Sequence, residues 1–201
     1  FVFTTVRLFG FSFNLRKHTP ESPLNLQFVI DAFASKDSIK KEKNIDLRFN
    51  SIMIRRGNFS YNVDSEKETP GKFNAKHIDI KNLSAKISLK AFNKDSVNAH
   101  IKKMSFDEAS GFSLNKLSLN VVGNRDSAFV QDFEVRLPQT NLKIGRARID
   151  LSEIDSLPAL LNNAPIDLNI TPSQICLKDL SSFVQAFSNF TETIELSAEA
   201  S

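Results

Sequence analysis

The sequence predicts a mainly β protein, an antiparallel meander with one apolar face, one polar face and two or three short helices. Apolar and polar residues alternate through most of the 201 residues, which is the period of a half-buried strand. Between residues 73 and 151 the alternating segments are joined by short polar stretches such as NKDS and GNRDS. Strands joined so tightly pair with their sequence neighbours. Since 41% of the residues are hydrophobic, such a sheet can also bury a core.

We expect residues 1–201 to form one elongated β domain. Both ends of the chain still alternate, which indicates a segment of a longer protein. Residues 1–50 are expected to hold an opening strand, a short helix and a charged loop, and residues 51–151 the continuous meander. Residues 152–201 are expected to hold further strands and two short helices.

The helices are predicted from apolar residues at helical spacing in three segments, SPLNLQFVIDAFASK, SEIDSLPALLNNA and LKDLSSFVQAFSNF. The segment IDLRFNSIMIRRGNFSYNV is predicted to form two strands that turn at Arg56, Gly57 and Asn58. Both assignments affect which side chains share the apolar face.

Within several strands the alternation slips by one residue, most clearly in FNAKHIDIKNLSAKISLKAF at Asn82-Leu83 and again near Lys116-Leu117. A one-residue slip would move the following apolar side chains to the other face unless the backbone also changes there. We therefore expect a strand boundary or a bulge at each slip.

The apolar face must be covered, and the sequence leaves two ways open. The sheet can fold on itself as a sandwich or barrel and fill its own interior, or it can curl and leave a groove for an apolar ligand. An exposed acyl chain of about 16 carbons costs on the order of 10 kcal/mol in water, at about 0.8 kcal/mol per CH₂, so a lipid groove needs unbroken apolar strand faces. From the alternation, the candidate lining residues are Ile78, Ile80, Ile87, Leu89, Ile101, Phe112, Leu114, Leu119, Val121, Phe133, Val135, Leu142 and Ile144.

Composition argues against several classes of function. The chain has 26 basic and 23 acidic residues, largely interspersed, which disfavours nucleic acid as a partner. Its three histidines are dispersed, and no phosphate-binding loop or metal-ligand spacing is present, so we expect no enzyme, cofactor or metal site. Cys176 is the single cysteine, which excludes an intrachain disulfide.

The strings IRRGNFSY, ETPGKFNAKHIDIKNLSAKISL, MSFDEASGFSLNKLSL and FEVRLPQTNLKI resemble the amino-terminal half of the TamB/AsmA-like proteins of the Bacteroidetes. The resemblance implies a U-shaped, taco-like β-sheet with an apolar inner groove. It also implies a periplasmic location, in a protein that one helix anchors in the inner membrane and that reaches the outer membrane. The anchor, and the contact with a BamA/TamA-type outer-membrane barrel protein, would lie outside this segment.

The resemblance and the one-sided strands together favour a non-enzymatic role in outer-membrane biogenesis, in which the groove shields phospholipid acyl chains during transport between membranes. The alternative is a scaffold or chaperone, whose exposed edge strand pairs with barrel proteins during their assembly. A self-filled sandwich for adhesion or carbohydrate binding is the third possibility. It is disfavoured because such sites use exposed Trp and Tyr, and this chain has no Trp and one Tyr.

Overall fold

The computed structural model describes residues 2–27, 48–93, 95–150 and 166–200. The protein is mainly β, with 67% of its residues in strands, and the strands form a single open, curled sheet. This confirms the predicted fold class. The predicted helix in residues 152–164 lies outside the described residues, as does most of the one predicted in residues 22–36.

The described part of the chain contains ten strands. Their bounds are β1 Val2–Phe9, β2 Ser12–Lys17, β3 Arg48–Val63, β4 His77–Asn93, β5 Ser96–Glu108, β6 Ser113–Asn124, β7 Ser127–Arg136, β8 Asn141–Asp150, β9 Ile166–Cys176 and β10 Thr193–Ala200.

The strands from β3 to β10 follow one another in space in chain order, and each pairs antiparallel with the next, as the meander predicts. The opening of the chain differs, because β1 and β2 both pair parallel with β3. β1 covers the first half of β3 and β2 the second half, so the two act as one edge strand broken at Gly10, whose φ is +57°. A parallel pair needs a long connection, and residues 18–47 supply it.

The prediction of two strands turning at Arg56, Gly57 and Asn58 is wrong, since β3 runs unbroken through these residues. Arg56 has a φ of +52° and forms a bulge there instead of a turn. Gly57 is required for packing, because a Cβ at this position would lie 2.5 Å from the Phe11 ring. A bulge followed by glycine resembles a turn in the sequence, although here the strand continues past it.

The phase slips are bulges inside continuous strands. Asn82 has a φ of +56°, and the pairing of β4 with both neighbours shifts at this point, so one extra residue is accommodated. Ile80 and Leu83 are three positions apart and would face opposite sides of a regular strand. The extra residue in the bulge places both on the same side of the sheet. The slip near Lys116 is also a bulge, since Leu114 and Leu117 pair with Phe106 and Met104.

The LKDLSSFVQAFSNF segment forms two short 3₁₀-helices, Leu177–Leu180 (η1) and Gln185–Asn189 (η2), rather than one longer helix. Hydrogen bonds from Ser181 to Lys178 and from Phe187 to Val184 close its tight turns. Phe183 contacts rings of two other connections, Phe187 contacts Phe190 within the segment and Val184 is exposed, so the apolar residues at helical spacing do not form one helical stripe.

The described core lies at one end of the sheet, where β3, β5, β7 and β9 finish. Four of the five buried apolar residues are found there, Val63, Leu114, Leu137 and Cys176. Buried Thr140 links the β7–β8 connection to the end of β9 by accepting a hydrogen bond from Cys176 N–H at 3.0 Å. We call this region, with residues 64–76, 109–112, 137–140 and 177–192, the packed end.

Candidate functional site

Away from the packed end, apolar side chains form rows that cross the sheet from strand to strand. Directly paired residues in a ladder share a face, so the register defines these rows. The distal row is the one farthest from the packed end, and all its members are apolar across eight strands: Phe49, Leu89, Ala99, Val121, Val130, Ala147, Leu168 and Ala200.

Two more rows run parallel to it on the same face. The middle row lies next to the distal row and crosses the bulge at Asp132, whose φ is +53°; it contains Ile52, Ile87, Ile101, Leu119, Phe133, Ile144, Ile170 and Ala198. The proximal row lies nearest the packed end and contains Ile54, Ala85, Met104, Leu117, Val135 and Leu142. The three rows form what we call the apolar face.

The apolar face is only half covered. Ala85 is the one member of the three rows that is buried, and almost all the other side chains described are partly exposed. In the described part of the chain the face is therefore only partly covered, and solvent reaches most of its side chains.

The sheet curls toward this face. Phe183, in the β9–β10 connection, contacts Phe73, in the β3–β4 connection, with ring centroids 5.0 Å apart. The backbone N–H of Phe73 also donates to Ser182 O at 2.8 Å. Phe183 further contacts Phe112, which lies against Phe106 on β5. These contacts join connections from opposite sides of the sheet, so the aromatic cluster closes the packed end of the curl.

Both lateral edges of the curl remain apart among the described strands. Leu8 and Phe13 on one edge are exposed on the apolar face, and Ile194 on β10 is 55% exposed. The apolar face is thus a groove, closed at the packed end and open along the side between β1/β2 and β10.

The thirteen predicted lining residues fall into three groups. Nine lie in the three rows: Ile87, Leu89, Ile101, Leu119, Val121, Phe133, Val135, Leu142 and Ile144. Ile78, Ile80 and Leu114 share the same face closer to the packed end, and Leu114 is buried. Phe112 lies in the β5–β6 turn and belongs to the aromatic cluster instead of a strand.

Sequence reasoning missed the residues that follow a bulge and the residues of β3. Met104, Leu117 and Val130 face the groove although the alternation in their strands slips beside them. Ile52 and Ile54 were missed because β3 was divided in two. A positive φ at Asn82 or Asp132 is the structural event behind such slips, and Asn and Asp adopt it more readily than most residues.

The opposite face is polar and carries most of the charges of the sheet. The Glu134 carboxylate accepts hydrogen bonds from Lys116 Nζ and, at 2.5 Å, from Arg136 Nε. The hydrogen bond from Lys116 holds the pKa of Glu134 below its usual range, with Arg136 acting in the same direction. The stabilisation from this carboxylate is therefore present above its ordinary pKa and is lost as the pH falls through the lowered value.

The polar face also has cavities. One cavity of about 550 Å³ is lined by Asn14 on β2, Asn62 on β3, His77 and Asp79 on β4, and residues of the connection between β3 and β4. His77 Nδ1 lies 3.2 Å from Asn62 Oδ1. Within the described ranges, no three His, Cys, Asp or Glu side chains lie together as metal ligands would.

No helix in the described part of the chain is both long and apolar enough to cross a membrane. Comparison with protein-family models, curated proteins and solved structures gives no match to this chain. The resemblance to TamB/AsmA-like proteins therefore stays a prediction from the sequence strings.

Proposed function

We propose that this chain is a periplasmic segment of a TamB/AsmA-like protein and that its groove shields phospholipid acyl chains during transport between the inner and outer membranes. The observation that carries the proposal is the distal row, which is apolar in every strand from β3 to β10 and is partly exposed from β3 to β9. Such a row offers a continuous apolar track. An acyl chain that lies along one strand can therefore move to the next strand without crossing a polar side chain in this row.

The size of the groove supports this ligand. β4 has 17 residues and is therefore about 56 Å long at about 3.3 Å per residue. A bilayer's hydrocarbon core of about 30 Å contains two leaflets, so one acyl chain extends roughly 15 Å. Three rows two residues apart along a strand cover about 14 Å, so the rows match one acyl chain laid along the strands.

The composition of the groove supports a hydrocarbon ligand over a polar one. Its rows contain aliphatic and Phe side chains and one Met, and none of these can donate or accept a strong hydrogen bond. Carbohydrate or peptide groups would leave their polar atoms unpaired on this surface, which is costly. Acyl chains carry no such atoms.

The proposal is tested by measuring lipid in the purified 201-residue chain and by titrating it with a fluorescent fatty acid. We expect co-purifying phospholipid in mass spectra of organic extracts, and saturable probe binding that added phospholipid displaces. A chain that carries no lipid and binds no probe, while its far-ultraviolet circular dichroism shows an intact sheet, would exclude the shielding function.

A second candidate is the scaffold role, which the open lateral edges favour. No described strand pairs with the outer side of β10 or of β1 and β2. An unpaired edge can add a strand from another protein, such as an outer-membrane barrel in assembly with a BamA/TamA-type partner. This role depends on backbone hydrogen bonds at the edge, and proline has no backbone N–H to donate. Leu196→Pro would therefore abolish it, whereas a charge in the groove would not.

A further inference from the structure

Five basic side chains from five consecutive strands line two adjoining depressions of the polar face. Arg55, Lys86 and Lys103, on β3, β4 and β5, line one depression of that face. Lys103 also lines the next depression, of about 660 Å³, together with Lys116 on β6 and Arg136 on β7. We call these five residues the basic row. Neighbouring strands are about 4.8 Å apart, so the row is about 19 Å long.

The basic row contains like charges in direct opposition. Lys86 pairs with Lys103 across β4 and β5, and Lys116 pairs with Arg136 across β6 and β7. Like charges directly opposite each other destabilise a sheet. Glu134 neutralises part of the second pair, but Lys86 and Lys103 form no ion pair with any residue in the described ranges. The row thus keeps a net charge of about +4, which the anionic groups of a binding partner can neutralise.

An exposed aromatic ring lies at one end of this row. Phe9 pairs with Arg55 at the β1 edge and is 54% exposed, and the Arg55 guanidinium carbon lies 6.0 Å from its ring centroid. On the same face Phe129 is exposed beneath Arg148, at 5.4 Å. Cations next to exposed Phe side chains are typical of surfaces that bind the headgroup region of a membrane, since the ring enters the apolar boundary.

We propose that the basic row docks the polar face of this chain onto a membrane surface that contains anionic phospholipids. Lys86 and Lys103 contact the lipid phosphates, and Phe9 inserts beside them. This site is on the face opposite the groove and does not depend on the shielding function. It is a peripheral contact, so it orients the sheet with its groove turned away from the docked surface.

The structure favours a membrane over a nucleic acid. The sheet curls away from this face, which is therefore convex and provides no channel for a duplex or a single strand. Single-strand binding also uses aromatic rings on which successive bases stack, and the two exposed rings here lie on different strands with a cation over each.

The test measures binding of the 201-residue chain to vesicles of phosphatidylcholine, with and without phosphatidylglycerol, by flotation at low salt. Because each lysine near an anionic surface contributes about fivefold to affinity, Lys86→Gln with Lys103→Gln should weaken binding to the anionic vesicles about 25-fold. The matched control, Lys72→Gln with Lys178→Gln, removes the same charge from exposed positions at the packed end and should change binding less than about twofold. Glu134→Gln should strengthen binding, since it removes the acid from the row.

The double variant will fold, because it relieves the opposition of Lys86 and Lys103, and an unchanged or raised melting temperature will verify this. Equal losses in the double variant and its control would overturn the proposal, as would equal binding to neutral and anionic vesicles. Tighter binding to a single-stranded oligonucleotide than to anionic vesicles at the same salt would also overturn it. Binding of the fatty-acid probe is measured in the double variant as well, and it should be unchanged. Loss of vesicle binding with unchanged probe binding then shows that the two functions are separate.

Discussion

Aspartate in place of Ile87 is expected to lower the affinity of the groove for a fluorescent fatty acid by about tenfold or more. Ile87 is in the middle row, paired with Ile52 on one side and Ile101 on the other. A carboxylate there must stay hydrated or lose its charge, since an acyl chain laid over it would strip its water. The measurement is a fluorescence titration of the purified variant against the unchanged chain.

The matched control is Ser88→Asp, which places the same group on the neighbouring residue of β4, on the polar face. Ser88 pairs with exposed His100, so the new carboxylate remains in water and probe binding should not change. Ile87→Asn places a polar but uncharged group at the same position, so it cannot repel the charged end of the probe. Its affinity for the probe should fall nearly as far as that of Ile87→Asp. If all three variants bind the probe equally while remaining folded, the probe binds elsewhere and the edge-strand role becomes the better account.

Truncation of Leu114 should cost more stability than the same truncation of Leu119 on the same strand. Leu114 is 7% exposed, beside the aromatic cluster at the packed end, whereas Leu119 is partly exposed in the groove. Leu114→Ala is expected to lower the free energy of unfolding by about 2–4 kcal/mol, as in a protein core. Leu119→Ala should lower it by about 1–2 kcal/mol, because solvent already reaches part of the side chain.

Urea denaturation followed by circular dichroism measures both variants, and the slopes of free energy against urea must agree for the comparison to hold. Equal losses of about 3 kcal/mol in both variants would mean that Leu119 is as well packed as Leu114. The groove would then be a core that closes in solution, contrary to the half-covered face in the structure.

The strands of the meander could be predicted because each carries its own alternation and a short polar turn. β4 is an example, since the residues on both sides of Asn82 alternate clearly. The slip itself was ambiguous, because a bulge and a strand boundary leave the same pattern in a sequence. The structure distinguishes them through the positive φ of Asn82 and the continued pairing of Leu83 with Gly57.

Other features depend on residues far apart in the chain, so local patterns could not predict them. The parallel pairing of β1 with β3 joins residues more than 40 positions apart, and alternation carries no information about strand direction. The aromatic cluster joins Phe73 to Phe183. The basic row was also invisible, since Lys86, Lys103 and Lys116 are interspersed with other residues and meet only when β4, β5 and β6 align.

The central claim is that the apolar face is open to acyl chains, and photo-crosslinking tests it most directly. A photoreactive amino acid would replace Ile87 in the middle row or, as the outward control, Ser88 on the polar face of the same strand. After irradiation in the presence of phosphatidylcholine, which has no net charge for the basic row to bind, mass spectrometry of the protein should find lipid adducts at position 87 at a much higher yield than at position 88. Crosslinks from position 87 only to other residues of the chain, with no lipid adduct, would show a sealed face and contradict the account.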